Sequence, residues 1–195
     1  SYLSDRLVYV LDFIFSDLLE VNFRLTDNSE NLEGIIINYS EEDLKTKCYQ
    51  ITPNSLIKGT DFEEPVGKLS ADSFIIFSST NDDHGFDIFS AVFYLVSRME
   101  EYHLKKVDQY NRFLSSQSIL SKHKVNHLPI VDIWAYDLLF KLNQLFSSSL
   151  SSKKSFNQYC TFDIDNAYAF KHKGTIRTLA SFGKDVVNFR KNKIV

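Results

Sequence analysis

The spacing of apolar residues along the chain predicts four amphipathic helices. Residues 4–20 repeat apolar side chains at the 3.6-residue period of a helix that buries one face. The same period predicts helices at about 88–103, where Asp87 can cap the first turn, at 130–146 and at 175–190. These four segments are long enough to build much of a hydrophobic core.

Short runs of β-branched and aromatic residues between the helices predict strands. The strand candidates are residues 21–25, 35–37, 48–52, 74–77 and 159–163. Residues 74–77 are apolar at every position, so we expect them to form a central strand that is covered on both faces. Together with the helices, these runs predict an α/β fold.

The polar stretches divide the chain into three predicted parts. Residues 1–120 form a small mixed α/β N-terminal domain. Residues 121–155 form a helical connector followed by a linker, because 147–155 is rich in serine and lysine. Residues 156–195 begin a further α/β module, of which these residues supply a first strand and helix.

Composition narrows the classes of function. A net charge of −3 gives no general case for nucleic-acid binding. No apolar run approaches the ~18 residues of a membrane span, since Asp12 and Asp17 interrupt the richest one. Cys48 and Cys160 are far apart and show neither disulfide nor metal-ligand spacing. With two unpaired thiols and no signal-peptide pattern at Ser1, the sequence favours a cytoplasmic location.

The candidate chemistry lies at the end of the last predicted strand, in the sequence Thr161-Phe162-Asp163-Ile164-Asp165. Residues two apart in a strand point to the same face, so the two carboxylates are expected to lie side by side. Such a pair suits a divalent metal, or a metal ligand next to a general base. Alternatively, the two acids cap the following turn or helix and have a structural role only.

This acidic motif resembles the first motif of the polysaccharide deacetylase (NodB-like) family, in the variant where one residue separates the two acids. Three upstream stretches, residues 86–102, 111–113 and 128–134, resemble an N-terminal region that precedes the deacetylase module in one bacterial subgroup. The resemblance therefore extends over both the N-terminal domain and the acidic motif.

The resemblance implies a metal-dependent hydrolase that removes N-acetyl or similar acyl groups from a sugar polymer. Asp163 would be the general base that activates water, and Asp165 would be a ligand of a divalent metal such as zinc. The partner would be an N-acetylated glycan. Residues 156–195 would be the first βα unit of an incomplete (β/α) barrel.

The chain departs from the family in its histidines. The family completes its metal site with two histidines one helical turn apart, whereas His172 is the only histidine after Asp165 and has no partner four residues on. Zinc requires three protein ligands and an open position. We therefore expect these 195 residues alone to be inactive and to bind no metal.

Three alternative functions remain open. The motif also resembles the first motif of haloacid-dehalogenase-type phosphatases, with Asp163 as nucleophile, Asp165 as acid/base and Mg²⁺ as cofactor, although Ala167 replaces their Thr or Val. A glycosyltransferase acid pair would need a glycine-rich phosphate loop that the sequence lacks. In the third, residues 1–150 are a non-catalytic carbohydrate-binding or interaction module, and the acid pair is structural.

Other polar groupings favour structural roles. Residues 82–84, Asp-Asp-His, could hold a metal, but a polar loop before a capped helix is the preferred interpretation. His123 and His127 have the spacing of a zinc pair, yet lysines flank His123 and no third ligand completes a motif. Arg98 and Glu101 are predicted to pair on a helix surface.

Overall fold

The computed structural model describes two compact units. They span Ser1–Ser155 and Phe156–Val195. The residues that the structure describes are 3–59, 63–69, 73–80, 82–102, 106–163 and 174–187. The first unit is a mixed α/β domain, which confirms the predicted fold class.

Helices supply most of the first unit. They are α1 (Asp5–Leu11), α2 (Ser55–Lys58), α3 (Ile88–Val96), α4 (Ile119–Lys122) and α5 (Ile130–Phe146). The hydroxyl of Ser4 caps α1 by accepting from the amide of Leu7 at 3.2 Å. A π-helix, Asp12–Leu18, continues α1. The predicted helix at 4–20 is therefore confirmed, although its second half has the wider turns of a π-helix.

The end of α3 differs from the prediction. The apolar period suggested a helix to about residue 103, but α3 ends at Val96 and a 3₁₀ turn, Met99–Glu101, follows. Arg98 has a φ of 56°, in the left-handed region, which residues inside a right-handed helix do not adopt. By contrast, the predicted helix at 130–146 is confirmed by α5 with the same bounds.

The strands form two very small sheets. Strand β1 (Ile37–Tyr39) pairs in parallel with β2 (Tyr49–Ile51). Strand β3 (Lys68–Leu69) pairs antiparallel with β4 (Phe74–Ile75). The prediction at 48–52 is confirmed, and the one at 35–37 is displaced by two residues.

One strand prediction in this unit is wrong, and another is confirmed only in part. Residues 21–25 form no strand. Residues 74–77 are not a long central strand, because β4 ends at Ile75 and Phe77 has a left-handed φ of 55°. A strand cannot continue through that conformation. Apolar character predicted burial correctly here, since Ile76 is fully buried, but it did not predict an extended backbone.

The core joins α5 to the rest of the first unit, although the sequence suggested a connector over 121–155. Trp134 and Leu138 of α5 are buried. The Trp134 indole nitrogen donates to the Phe74 carbonyl oxygen at 2.7 Å, and its ring packs against Phe86 at 5.3 Å between centroids. Helix α5 is therefore part of the domain core, where it is fixed to strand β4.

The second unit contains helix α6 (Thr175–Val187). Residues 156–163 have no regular secondary structure, so the predicted strand at 159–163 is wrong in this structure. Strands need a hydrogen-bonding partner, and apolar and β-branched content alone does not supply one. Within the described ranges, no helix combines the length and apolar character of a membrane span.

The packing of α5 gives a test of the core. We expect Leu138→Ala to lower the free energy of unfolding by about 2–5 kcal/mol, because it leaves a cavity at a fully buried site. Phe140→Ala on the same helix is the control, since that side chain is 58% exposed. Urea denaturation measures both. Equal losses would contradict the placement of α5 in the core.

Candidate functional site

An open cleft of about 280 Å³ lies in the first unit, lined by residues 52–54, residues 77–80 and Asp87. Residues 52–54 directly follow β2, at the carboxyl end of the parallel strand pair. Helix α2 begins at Ser55 and helix α3 at Ile88, so both start at this cleft. In α/β folds, the carboxyl ends of parallel strands are where ligands bind.

The carboxylate of Asp87 organises the floor of the cleft through four hydrogen bonds. Its Oδ1 accepts from the amides of Phe89 and Ser90, both at 3.1 Å, and so caps α3. Its Oδ2 accepts from the amide of Asn54 at 2.7 Å and from the hydroxyl of Tyr39 at 2.9 Å. One side chain thus joins the end of β1, the start of α2 and the start of α3.

The electrostatics of this group follow from its burial. Asp87 is only 1% exposed, and this burial raises the pKa of its carboxyl group. Hydrogen bonds from Ser90, Asn54 and Tyr39 act in the opposite direction and favour the carboxylate. Burial, with a further contribution from the charge of Asp87, raises the pKa of Tyr39 well above its usual value. All four partners are donors, so the geometry fits an ionised Asp87.

The loop before α3 forms hydrogen bonds with the backbone of β2 and of the residue that follows it. Asp82 accepts from the amides of Thr52, at 3.2 Å, and Gly85, at 2.6 Å. The Asp83 carboxylate accepts from the amide of Gln50 at 2.7 Å, and the Asp83 amide donates to the Gln50 carbonyl oxygen at 3.0 Å. These acids satisfy backbone groups, which confirms a polar structural loop at 82–84.

His84 of the same loop is buried, which the sequence did not indicate. Its ring packs against Phe86, with centroids 4.6 Å apart, and its Nδ1 lies 2.8 Å from the hydroxyl of Tyr49. Its Nε2 has no hydrogen-bond partner among the residues described. Burial, and then the positive charge of Lys141, lower the pKa of His84 to about 4. The imidazole is therefore neutral at pH 7.

The two residues of the predicted acid pair belong to the second unit. Asp163 is exposed and lies in an irregular segment, whereas Asp165 and His172 lie outside the described residues. Where the structure describes side chains, no group of three or more His, Cys, Asp or Glu is placed to hold a metal ion.

The remaining sequence candidates have structural surroundings. Arg98 Nη2 lies 2.5 Å from Glu101 Oε1 on the surface, which confirms that predicted pair. His123 packs against the ring of Phe74 at 5.2 Å, and His127 is exposed. For the two histidines, no complete metal site is found in the described part of the chain.

Sequence reasoning identified Asp87 as a helix cap but missed its partners. Asn54 follows the predicted strand at 48–52 and has no predicted role, although it caps α2 by accepting from the amide of Leu56 at 3.1 Å. An asparagine followed by Ser-Leu-Ile was the available indication of that helix start. Tyr39 lay at the edge of an apolar run and gave no indication of its role.

The first unit is thus a mixed α/β domain with an open cleft at the carboxyl end of a parallel strand pair. The model of a family of unknown function, DUF7033, matches residues 2–147, and the chain belongs to that family. The matched region ends one residue after α5. No curated protein and no solved structure is significantly similar to the chain. The acid pair lies outside the family match.

The hub at Asp87 can be tested by an isosteric change. In Asp87→Asn, an NH₂ group replaces one acceptor oxygen and must face two donors. We expect the free energy of unfolding to fall by about 2–4 kcal/mol, as for a broken buried network. Asp132→Asn, at an exposed position in the first turn of α5, is the control. If urea denaturation gives the same midpoint for both variants, Asp87 is not the hub.

His84 predicts a pH dependence of stability. Its pKa is about 6.5 in an unfolded chain and about 4 in the fold, so unfolded molecules bind the proton more readily. The free energy of unfolding should therefore fall as the pH drops from 6.5 to 4, by about 3 kcal/mol in total.

Denaturation at a series of pH values measures this dependence. His84→Phe should lose this part of the slope, and His127→Phe, which changes an exposed histidine, should keep it. An unchanged slope in His84→Phe would refute the assignment.

Proposed function

We propose that this chain is the N-terminal part of a polysaccharide deacetylase-like protein. In this proposal, the DUF7033 domain precedes a metal-dependent module that removes N-acetyl or similar acyl groups from a sugar polymer. The main support is the order of the parts along the chain. The family match ends at residue 147, a separate unit begins at Phe156, and the deacetylase-like acidic motif follows five residues later.

The exposure of the second unit is a further support. Phe156, Tyr159 and Phe162 are 92%, 84% and 85% exposed, and Ile176 and Leu179 of α6 are also exposed. A segment with this apolar content is stabilised when further structure covers it. In the proposed protein, residues 156–195 are the first strand and helix of a (β/α) barrel, and the strand forms when a neighbouring strand pairs with it.

The proposed roles of the two acids follow the resemblance. Asp163 is the general base that takes a proton from the attacking water. Asp165 would be a ligand of a divalent metal such as zinc. When bound, that metal would supply Lewis-acid activation of the water. Other parts of the natural protein contribute the histidine ligands. The 195-residue chain alone is therefore inactive.

Acetate release from N-acetylated oligosaccharides by the whole natural protein tests this proposal. We expect Asp163→Asn to lower kcat by about 10²–10⁴-fold, the usual contribution of a general base. Asp165→Asn should lower zinc affinity, and a chelator should abolish an activity that added zinc restores.

Asp27→Asn is the control for both variants, because it neutralises an exposed loop acid of the first unit. Wild-type protein that releases no acetate from any N-acetylated glycan, or activity that survives Asp163→Asn, would overturn the proposed function.

A further inference from the structure

We propose that the cleft formed by residues 52–54, residues 77–80 and Asp87 binds a single neutral sugar ring. This site lies in the DUF7033 domain and does not involve the acid pair. It rests on the deacetylase proposal only for the inclusion of an N-acetylated sugar among the probes. Its support comes from the rigidity of the cleft, its backbone conformation, its lining and its charge.

Hydrogen bonds hold the two walls of the cleft in place. One wall, residues 52–54, is fixed where the Asn54 amide binds the buried carboxylate of Asp87. The other wall, residues 77–80, is fixed where the Asp87 amide donates to the Phe77 carbonyl at 3.0 Å and the Ser79 amide donates to the Gly85 carbonyl at 3.0 Å. Asp87 is thus bonded to both walls. Because the cleft is preformed, the protein does not lose additional conformational entropy when a ligand binds.

Phe77 adopts a conformation that is unusual for its residue type. Its φ of 55° lies in the left-handed region, where a bulky side chain costs about 1–2 kcal/mol. The strain is held by the bond to Asp87 and by packing of its ring against Tyr94, with centroids 5.8 Å apart. Strain of this kind concentrates at binding sites. Here it turns the chain after β4 so that residues 78–80 line the cleft.

The lining offers the groups that a sugar requires. Thr52 and Ser78 supply hydroxyl groups, which both donate and accept hydrogen bonds as sugar hydroxyls do. Asn54 supplies the NH₂ group of its side chain as a donor, because its Oδ1 already caps α2. Pro53 and Phe77 add apolar surface, which suits the C–H face of a ring. A few convergent polar groups beside apolar surface are typical of small-molecule sites.

Charge argues for a neutral ligand. Among the described residues that line the cleft there is no lysine or arginine to bind an anion. Asp87 is the only acid among them, and its two oxygens already accept four hydrogen bonds, which leaves it poorly suited to a cation. Lys68, outside the lining, donates to the Ser78 hydroxyl at 2.6 Å, so inorganic phosphate is included among the probes.

The volume of the cleft limits the size of the ligand. At about 280 Å³, it lies just below the usual range of about 300–1,000 Å³ for ligand pockets. It therefore suits one ring, such as a terminal or branching residue of a glycan, better than an extended chain. Because the cleft is open and small, we expect a Kd of about 1 mM.

The test is an NMR titration of the ¹⁵N-labelled 195-residue chain with N-acetylglucosamine, glucose and inorganic phosphate in separate experiments. At least one sugar should shift the amide resonances of Thr52, Asn54 and residues 77–80, and phosphate should not. Thr52→Val keeps the side-chain shape but removes a hydroxyl, and it should weaken binding about fivefold, the effect of one hydrogen bond.

Two further variants complete the design. Thr46→Val, at an exposed position before the amino end of β2, should bind as the wild type does. Thr80→Trp, at an exposed lining position, should block the cleft and abolish binding while the spectrum remains that of a folded domain.

Three results would overturn the proposal. The first is that no sugar shifts these resonances at about 50 mM, which is far above a millimolar Kd. The second is that phosphate shifts them and the sugars do not. The third is that Thr52→Val binds sugar as tightly as Thr46→Val does. Failure of the deacetylase proposal is a separate result. In that case Asp163→Asn and wild type both lack acetate release, and both still bind sugar in the cleft.

Discussion

One buried carboxylate connects the parts of the first unit that are distant in sequence. Asp87 binds the hydroxyl of Tyr39, 48 residues away, and the amide of Asn54, 33 residues away, while it caps its own helix. A buried charge is tolerated only when hydrogen bonds compensate for its lost hydration. The positions of β1, α2 and α3 are therefore coupled, because a shift of any one of them leaves this charge with a missing donor.

The small sheets explain why the domain depends on helices and on this connection. Strands of two or three residues, paired only two at a time, are not stable on their own. Helices α1, α3 and α5 supply the core that covers them, and Trp134 of α5 binds the backbone of β4 directly. The family match, which ends one residue after α5, covers this same core. Helix α5 is thus an integral part of the family domain.

The sequence predicted the helices better than the strands, for a physical reason. A helix satisfies its own backbone, so the period of residues 130–146 was sufficient to predict α5. A strand depends on a partner elsewhere in the chain. Residues 21–25 and 159–163 have strand composition, but neither segment has a partner strand among the described residues. Strand β4 and helix α3 are shorter than their apolar composition predicted, because Phe77 and Arg98 adopt left-handed conformations just after them.

The candidate sites differ in how far the sequence could predict them. The proposed acid pair, Asp163 and Asp165, is a local motif that can be recognised in the sequence, whereas the cleft is built by residues 52–54 and 77–80, which come together only through tertiary contacts. Asp87 was recognised as a cap from its position before a helix, because capping is local. Its bonds to Tyr39 and Asn54 could not be predicted, because they depend on the fold.

Amide hydrogen exchange tests the central role of Asp87 most directly. The amides of Asn54, Phe89 and Ser90 bind this buried carboxylate, and they should exchange only on global unfolding, with the slowest rates in the domain. The amides of Tyr110 and Arg112 make the same kind of bond to Asp108 in an exposed turn, and they should exchange much faster. If the Asn54 amide exchanges as fast as that of Tyr110, the buried carboxylate does not hold the domain together.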